Sequence, residues 1–465
     1  MRLLLAPLCL VACAPEVDAV KRGVPTGDRA LDRAWSQVLD DVTAWRADQG
    51  VAGVAVAVVV DGRVRYAEGF GMADDRPVGP HTVFRWASIS KPFVATAVLQ
   101  AHDDGLLDLD APLSTWLTDF AVDGPLASGD PTVEEMLTHH SGIADRLIWQ
   151  CDTESEWLED TFDGDFSLPL LSPPGAFYNY SNSGFSALGA VLEQVHGRPF
   201  AELIDDEVLD PMGLRSATFV AEEAVELPSI SGMSDGGATL LDLAEWDCVS
   251  SRPAAWLHAD VTELGRFIEH LDTGPIAPFM AEARDTHLRA DGNHRIGPGL
   301  FSIAYRDRHE AWVHDGWVTG FSSELAWLPE ERLGVAVVAN RGLVDVSAVR
   351  NTVLDRFLGY DPDEPRHQPP EPQLRPELVG VYEQPVEVGP SWAFGELEVY
   401  EDKGVLRLRT ANGLRPELVQ VDGDAYAVVI GGDTTSMRFL AHDDALWMVS
   451  RNFVARRLPD VVDER

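Results

Sequence analysis

Lysine is almost missing from this chain. Of its 36 lysines and arginines, only Lys21, Lys91 and Lys403 are lysines. Arginine supplies the cation almost everywhere else, so a retained lysine points to a place where arginine does not serve. The physical difference is a proton: an ammonium can release one, whereas a guanidinium effectively cannot. Positive charge as a whole is also scarce. Against 76 aspartates and glutamates the formal net charge is −40. That argues against nucleic acid as a partner and against an electrostatic hold on anionic lipid. Cysteine is limited to Cys9, Cys13, Cys151 and Cys248. A zinc-protease motif is lacking too. His309-Glu310 is followed by His314, one residue too far for His-Glu-x-x-His, in a stretch that reads as strand.

What is present is globular, at 45% hydrophobic and 24% charged residues over 465 positions, a length that suggests more than one domain. Met1 to Cys13 holds one arginine and then an apolar run too short to span a bilayer. Its ending, Leu10-Val11-Ala12-Cys13, resembles the lipobox of bacterial lipoproteins. The resemblance implies a signal peptide over residues 1–13, lipid on Cys13, and a protein anchored at the periplasmic or outer face of a membrane. An ordinary secretory signal is the alternative; either way the chain leaves the cytoplasm. Residues 14–27 read as a linker. Export to an oxidising compartment favours a disulfide between Cys151 and Cys248, with two unrelated buried thiols as the other reading.

Residues 28–49 have helical apolar spacing, and Val51 to Val60 is a β-branched run ending in Asp61-Gly62, which predicts a hairpin with the alternating residues 63–69. Ser88 and Lys91 then stand three apart at the head of an apolar helical run, nearly one turn, so both side chains can share a face. Pro92 belongs in the first turn of a helix, so the helix should begin near Ser88. A lysine beside a serine hydroxyl can act as, or help tune, the base that activates it; a chance Ser-x-x-Lys on a buried helix is the plainer reading. Thr132 and Glu135 form a capping box at the start of another helix. His139-His140 reads as structural.

Two further clusters carry chemistry. Tyr180-Ser181-Asn182 lies in a turn-rich stretch before a helix, and a phenol next to an amide suits a proton shuttle and a hydrogen bond to a substrate amide. From these residues alone, a turn tyrosine with a capping asparagine is the plainer reading. Later, strand-like residues 299–305 and 310–314 lead to His314-Asp315-Gly316-Trp317, followed by two more strands and a helix from Ser347 to Leu358. These make an antiparallel meander covered by a helix.

Ser88-x-x-Lys91, Tyr180-x-Asn182 and His314-x-Gly316, in this order, resemble the serine β-lactamase and penicillin-binding protein superfamily. The branch most similar holds class C β-lactamases, D-Ala-D-Ala carboxypeptidases, D-aminopeptidases and related esterases. Phe84-Arg85, Leu137-Thr138-His139-His140-Ser141-Gly142 and Asp210-Pro211-Met212-Gly213-Leu214 agree with it. The resemblance implies an α+β fold, an antiparallel sheet flanked by helices with an all-helical subdomain, over about residues 28–360. It implies Ser88 as nucleophile of an acyl-enzyme, with Lys91 and Tyr180 sharing the proton work. Asn182 would hold the substrate amide and help place Lys91, while the backbone N–H groups of Ser88 and Trp317 would form an oxyanion hole. His314 stands where many β-lactamases have a lysine that helps hold the substrate carboxylate. Histidine is a cation only part of the time at neutral pH, so the reading leans away from β-lactams toward D-residue peptides or small esters. A class C-like β-lactamase is the alternative, and a non-catalytic peptidoglycan-binding homologue is a rival from another class. No cofactor or metal is implied, the partner is a small-molecule or peptide substrate, and the oligomeric state is open.

Residues 361–373 are a proline-rich polar linker. Beyond it, over 374–460, short alternating runs at 378–382, 395–400, 405–409, 425–430, 437–441 and 446–449, with intervening turns, predict a small all-β unit, a barrel. It loosely resembles the lipocalin-like appendage of some family members.

Overall fold

In the computed structural model the described residues run from 27 to 459. They leave out 125, 127–128, 146–156, 159–160, 163–166, 234–239, 242–247, 275, 279, 282–288, 292–293, 298, 367–373, 386–394, 423–424, 431–432 and 451–452. The leader with Cys13, and Cys151, lie outside the described residues.

Helix α1 (Arg29–Asp48) is capped by Asp28, whose carboxylate accepts from the N–H groups of Ala30 and Leu31. Strands β1 (Gly53–Val60) and β2 (Arg63–Ala73) form the expected hairpin. Asp61 and Gly62 both take positive φ at its tip, 55° and 70°, which matches the right-handed strand twist. Then come helix α2 (Ser90–Asp103), the capping-box helix α3 (Val133–Leu137), helix α4 (Asn182–His196) and helix α5 (Val261–Thr273). The meander is β3 (Leu300–Tyr305), β4 (His309–Val318), β5 (Phe321–Leu328) and β6 (Leu333–Ala339), closed by helix α6 (Ser347–Leu358).

These strands join one sheet of nine, in the order Arg289–Asp291, His294–Gly297, β3, β4, β5, β6, β1, β2, Arg76–Pro77. The hairpin and the meander meet where β1 pairs antiparallel with β6, Val54 opposite Ala339 through Val60 opposite Leu333. Strand β1 is apolar on both faces because both are covered. Ala55, Ala57 and Val59 pack toward α2, α4 and α5, while Val54, Val56 and Val58 pack toward Trp35, Val38 and Val42 of α1 and Val349 and Val353 of α6.

The C-terminal unit is an eight-stranded antiparallel sheet: β7 (Gly380–Glu383), β8 (Glu396–Asp402), β9 (Val405–Arg409), β10 (Val419–Asp422), β11 (Ala425–Ile430), β12 (Asp433–His442), β13 (Ala445–Ser450) and β14 (Phe453–Arg457). Its order is β9-β8-β7-β14-β13-β12-β11-β10. The ends approach through Leu418 N–H to the Leu406 carbonyl (2.9 Å) and Leu408 N–H to the Pro416 carbonyl (3.0 Å), so the barrel is nearly closed. Tyr382, Leu397, Val399, Val428, Phe439 and Met448 are among the side chains that fill it. Strands β10 and β14 were not among the runs read from the sequence, and Leu378 lies in a 3₁₀ turn, its carbonyl accepting from the Tyr382 hydroxyl at 2.7 Å.

One carboxyl–guanidinium contact of the sheet is buried. Glu324 of β5 is 4% exposed and lies 3.0 Å from Arg350 of α6. Burial pushes its carboxyl up to about 8 against the pull of the guanidinium. The folded protein then keeps this proton up to about pH 8, whereas the unfolded chain releases it in the ordinary carboxylate range. Glu324 therefore withdraws stability as pH rises between those limits. Glu324→Gln should flatten the fall in melting temperature between about pH 5 and pH 8. An unchanged slope in calorimetry would mean that Arg350 keeps the carboxylate ionised.

Candidate active site

The sequence places Ser88 at the head of a helix, and the structure sharpens how it is presented. The regular helix begins at Ser90, so Ser88 occupies the tight turn before it, with Lys91 N–H bonded to the Ser88 carbonyl at 3.1 Å. Ala87, just ahead, has φ +51° and is 1% exposed. A left-handed alanine costs about 1 kcal/mol or more and persists only where its surroundings hold it. Those surroundings are visible. Ser90 Oγ donates to the Ala87 carbonyl (2.7 Å) and accepts from Leu257 N–H (2.9 Å), and Trp86 N–H donates to the Leu257 carbonyl (2.8 Å).

Lys91 is fully buried. Its Nζ lies 2.7 Å from Asn182 Oδ1, 2.7 Å from the Ala254 carbonyl and 3.2 Å from Ser88 Oγ. The first two oxygens can only accept, so they fix two N–H bonds. The third direction, toward Ser88, is where a neutral amine would aim its lone pair. The aromatic faces of Tyr180 (4.8 Å) and Phe185 (5.6 Å) enclose the same nitrogen. Ala254 belongs to a short helix, Arg252–Ala255, that follows Cys248. Cys248 is 1% exposed and disulfide-bonded; Cys151 lies outside the described residues.

Asn182 opens α4, with Ser181 as the N-cap. Its orientation is set from behind. Asp145 Oδ1 accepts from Asn182 Nδ2 (2.7 Å) and from the Asn182 backbone N–H (3.2 Å). A carboxylate takes the NH₂ end, which leaves Oδ1 for Lys91. Tyr180, 1% exposed, is backed by His139, whose ring stacks on it at 4.4 Å and 29°. His139 Nδ1 accepts from Ser181 N–H at 3.0 Å, so its proton sits on Nε2. His139 thus packs in the structural role that its sequence setting implies, whereas Asp145 is not legible in the sequence. Asp145 has no signal there, because a lone loop aspartate in so acidic a chain stands out from nothing.

His314 is fully buried on β4 and donates from Nδ1 to the Asp315 carbonyl at 2.5 Å. Its ring centre is 6.1 Å from that of Tyr180 and 5.1 Å from that of Phe301. Gly316 is where β4 closes on Ser88. A Cβ there would lie 2.4 Å from the Trp86 carbonyl oxygen, 2.2 Å from Ser323 Oγ and 3.2 Å from the Ser88 nitrogen. Gly299 makes the matching approach before β3, where a Cβ would lie 2.8 Å from Pro92. Trp317 follows Gly316 with its side chain 48% exposed. Pairing of β4 with β3 ends at Val313 opposite Phe301. From His314 to Val318 the outer edge of β4 therefore meets no other strand among the described residues. Ser88, Lys91, Tyr180, Asn182, His314 and Gly316 are thus drawn to one place.

A family model described as Beta-lactamase matches residues 32–359. The chain belongs to the beta-lactamase family. Among its relatives, this beta-lactamase-family chain is 37% identical to Esterase EstB of Burkholderia gladioli over 189 residues, 36% of the chain and 47% of the esterase. It is 31% identical to a D-aminopeptidase of Cereibacter sphaeroides over 363 residues, 71% of the chain and 63% of the peptidase. The chain thus spans less than two thirds of either relative. In fold it is similar to the octameric penicillin-binding protein homologue from Pyrococcus abyssi, with a TM-score of 0.63, 20% identity, and coverage of 91% of this chain and 100% of that one.

Two changes probe this geometry. Gly316→Ala drives a methyl into the Trp86 carbonyl and toward the Ser88 nitrogen, and overpacking of this kind costs about 1–3 kcal/mol. Its melting temperature should fall, and modification of Ser88 by a fluorophosphonate should slow at least tenfold; a variant labelled at the normal rate would remove the close approach from the argument. Asp145→Ala frees the Asn182 amide to turn. A hydrogen bond to a charged group contributes about 1.5–3 kcal/mol, so labelling should slow roughly tenfold to a hundredfold. An unchanged rate would mean that Asn182 keeps its orientation without Asp145.

Proposed function

We propose that the protein is a serine hydrolase that cleaves an ester or amide through an acyl-enzyme on Ser88. The observation that carries this reading is the setting of Lys91, a rare lysine whose buried Nζ is bound by two acceptors and aimed at the Ser88 hydroxyl. Ser88 Oγ attacks the substrate carbonyl carbon as its proton passes to Lys91 Nζ. The carbonyl oxygen, now negative, is held by the backbone N–H groups of Ser88 and Trp317, each donor contributing about 3–4 kcal/mol. The C–O or C–N bond then breaks, and the leaving group takes a proton through Tyr180. Water attacks the Ser88 ester, Lys91 and Tyr180 take up its proton, and the acid departs with Ser88 restored.

Small esters and peptide-like amides bearing D-residues are the leading substrates, supported by relatives named as an esterase and a D-aminopeptidase. His314 in place of a lysine weighs against avid binding of an anionic β-lactam. The short apolar leader ending in Cys13 supports export with a lipid anchor.

Fluorophosphonate labelling tests the core of this reading. The wild type should form a covalent adduct that Ser88→Ala abolishes, and p-nitrophenyl acetate and a D-alanyl peptide should be turned over faster than nitrocefin. Absence of any Ser88-dependent adduct would leave a binding protein in place of an enzyme. Preferential turnover of nitrocefin would make it a β-lactamase.

A further inference from the structure

The stretch that carries Tyr180 has no strand ladder of its own. Residues 177–180 belong to no helix or strand, and their side chains alternate between two surroundings. Tyr178 and Tyr180 turn toward His139, at 5.9 and 4.4 Å between ring centres. Phe177 and Asn179 turn the other way, and what they meet is the C-terminal barrel. The Phe177 ring lies 5.4 Å from that of Trp447 and 5.2 Å from that of His442. Asn179, fully buried, accepts at Oδ1 from Ser172 Oγ (2.9 Å), and its Nδ2 donates to the Ser450 carbonyl at 3.5 Å.

These contacts belong to a separate apolar cluster shared between the two units. Trp447, Val449 and Val454 enter it from the barrel, and Ala144, Leu171 and Phe177 from the family domain. Ala144 directly precedes Asp145, the residue that orients Asn182. The two segments of the family domain are also locked to each other. Leu171 N–H bonds the Gly142 carbonyl (2.7 Å), Gly175 N–H the His140 carbonyl (2.8 Å) and Asn179 N–H the His139 carbonyl (2.7 Å). On β13 the alternation is just as clear: Met448 points into the barrel core, while Trp447 and Val449 point out into the shared cluster. The barrel is filled by its own side chains, so this outer face is surplus to its internal packing.

We infer that the barrel positions the active site: its outer face, through Trp447 and Val449, clamps the segment that presents Tyr180 and Asn182 to Lys91. The inference rests on the reading that these residues serve Ser88. Trp447, Phe177 and Asn179 are positioning residues, acting through Tyr180 and Asn182 on groups whose misplacement by about 1 Å can lower a rate a hundredfold.

The test uses the full chain and p-nitrophenyl acetate. Trp447→Ala should lower kcat about tenfold to a hundredfold, change KM little, and shift the pH profile of kcat, because the groups that move protons are displaced. Trp447→Phe should restore most of the rate. Val399→Ala, inside the barrel and away from the clamp, should lower the melting temperature but leave kcat and its pH profile as they are. Should Trp447→Ala not fold, the smaller Val449→Ala carries the same comparison. If the outer-face variants keep the wild-type kcat and pH profile, or if Val399→Ala alters both equally, the barrel is a stabilising appendage and the inference falls. A wild type that no fluorophosphonate labels at Ser88 would overturn the serine-hydrolase reading instead, so the two failures are distinguishable.

Discussion

The structure around Ser88 depends on burying one lysine side chain. Removing an ammonium from water without partners is prohibitive, and Lys91 is fully buried at the centre of the family domain. Its nitrogen is held by an asparagine oxygen from the start of α4 and by a main-chain carbonyl from the segment after Cys248. Each holder is fixed in turn: the asparagine by Asp145, the carbonyl by the short helix Arg252–Ala255. The left-handed Ala87 presents the serine hydroxyl to the remaining direction. Three separate parts of the chain must converge before the lysine can be neutral or charged at tolerable cost.

That requirement explains the layering. The sheet needs one covered face for α1 and α6 and another for α2, α4 and α5, and β1 is apolar on both sides for that reason. Ser88 stands between this packed interior and β4, where Gly316 permits a backbone-to-backbone approach that no side chain would allow, as Gly299 does at Pro92 ahead of β3. Residues His314 to Val318 pair with β5 on one side and have no neighbouring strand on the other among the described residues.

Much of this was legible beforehand. The hairpin turn at Asp61-Gly62, the capping box of Thr132 and Glu135 and the helix from Ser347 to Leu358 follow from local chemistry, and each stands where the residues put it. The barrel was less legible. Its strands are short, and β10 and β14 were not recognised because half-buried runs of four or five residues carry little periodicity. At the site, the side chains that converge could be named but their supports could not. His139 looked structural because its role is to lie flat against a tyrosine that follows 41 positions later.

The sequence by itself determined which groups can react: a serine one turn from a rare lysine, a phenol beside an amide, and a histidine two residues before a glycine. Those are side-chain identities at short spacing, and chemistry reads them directly. Tertiary structure alone decided how the lysine is held and what stands behind the tyrosine. The Ala254 carbonyl is 163 positions from Lys91, and the Ser450 carbonyl is 271 positions from Asn179. A main-chain carbonyl is the same in every residue, so only folding can single one out.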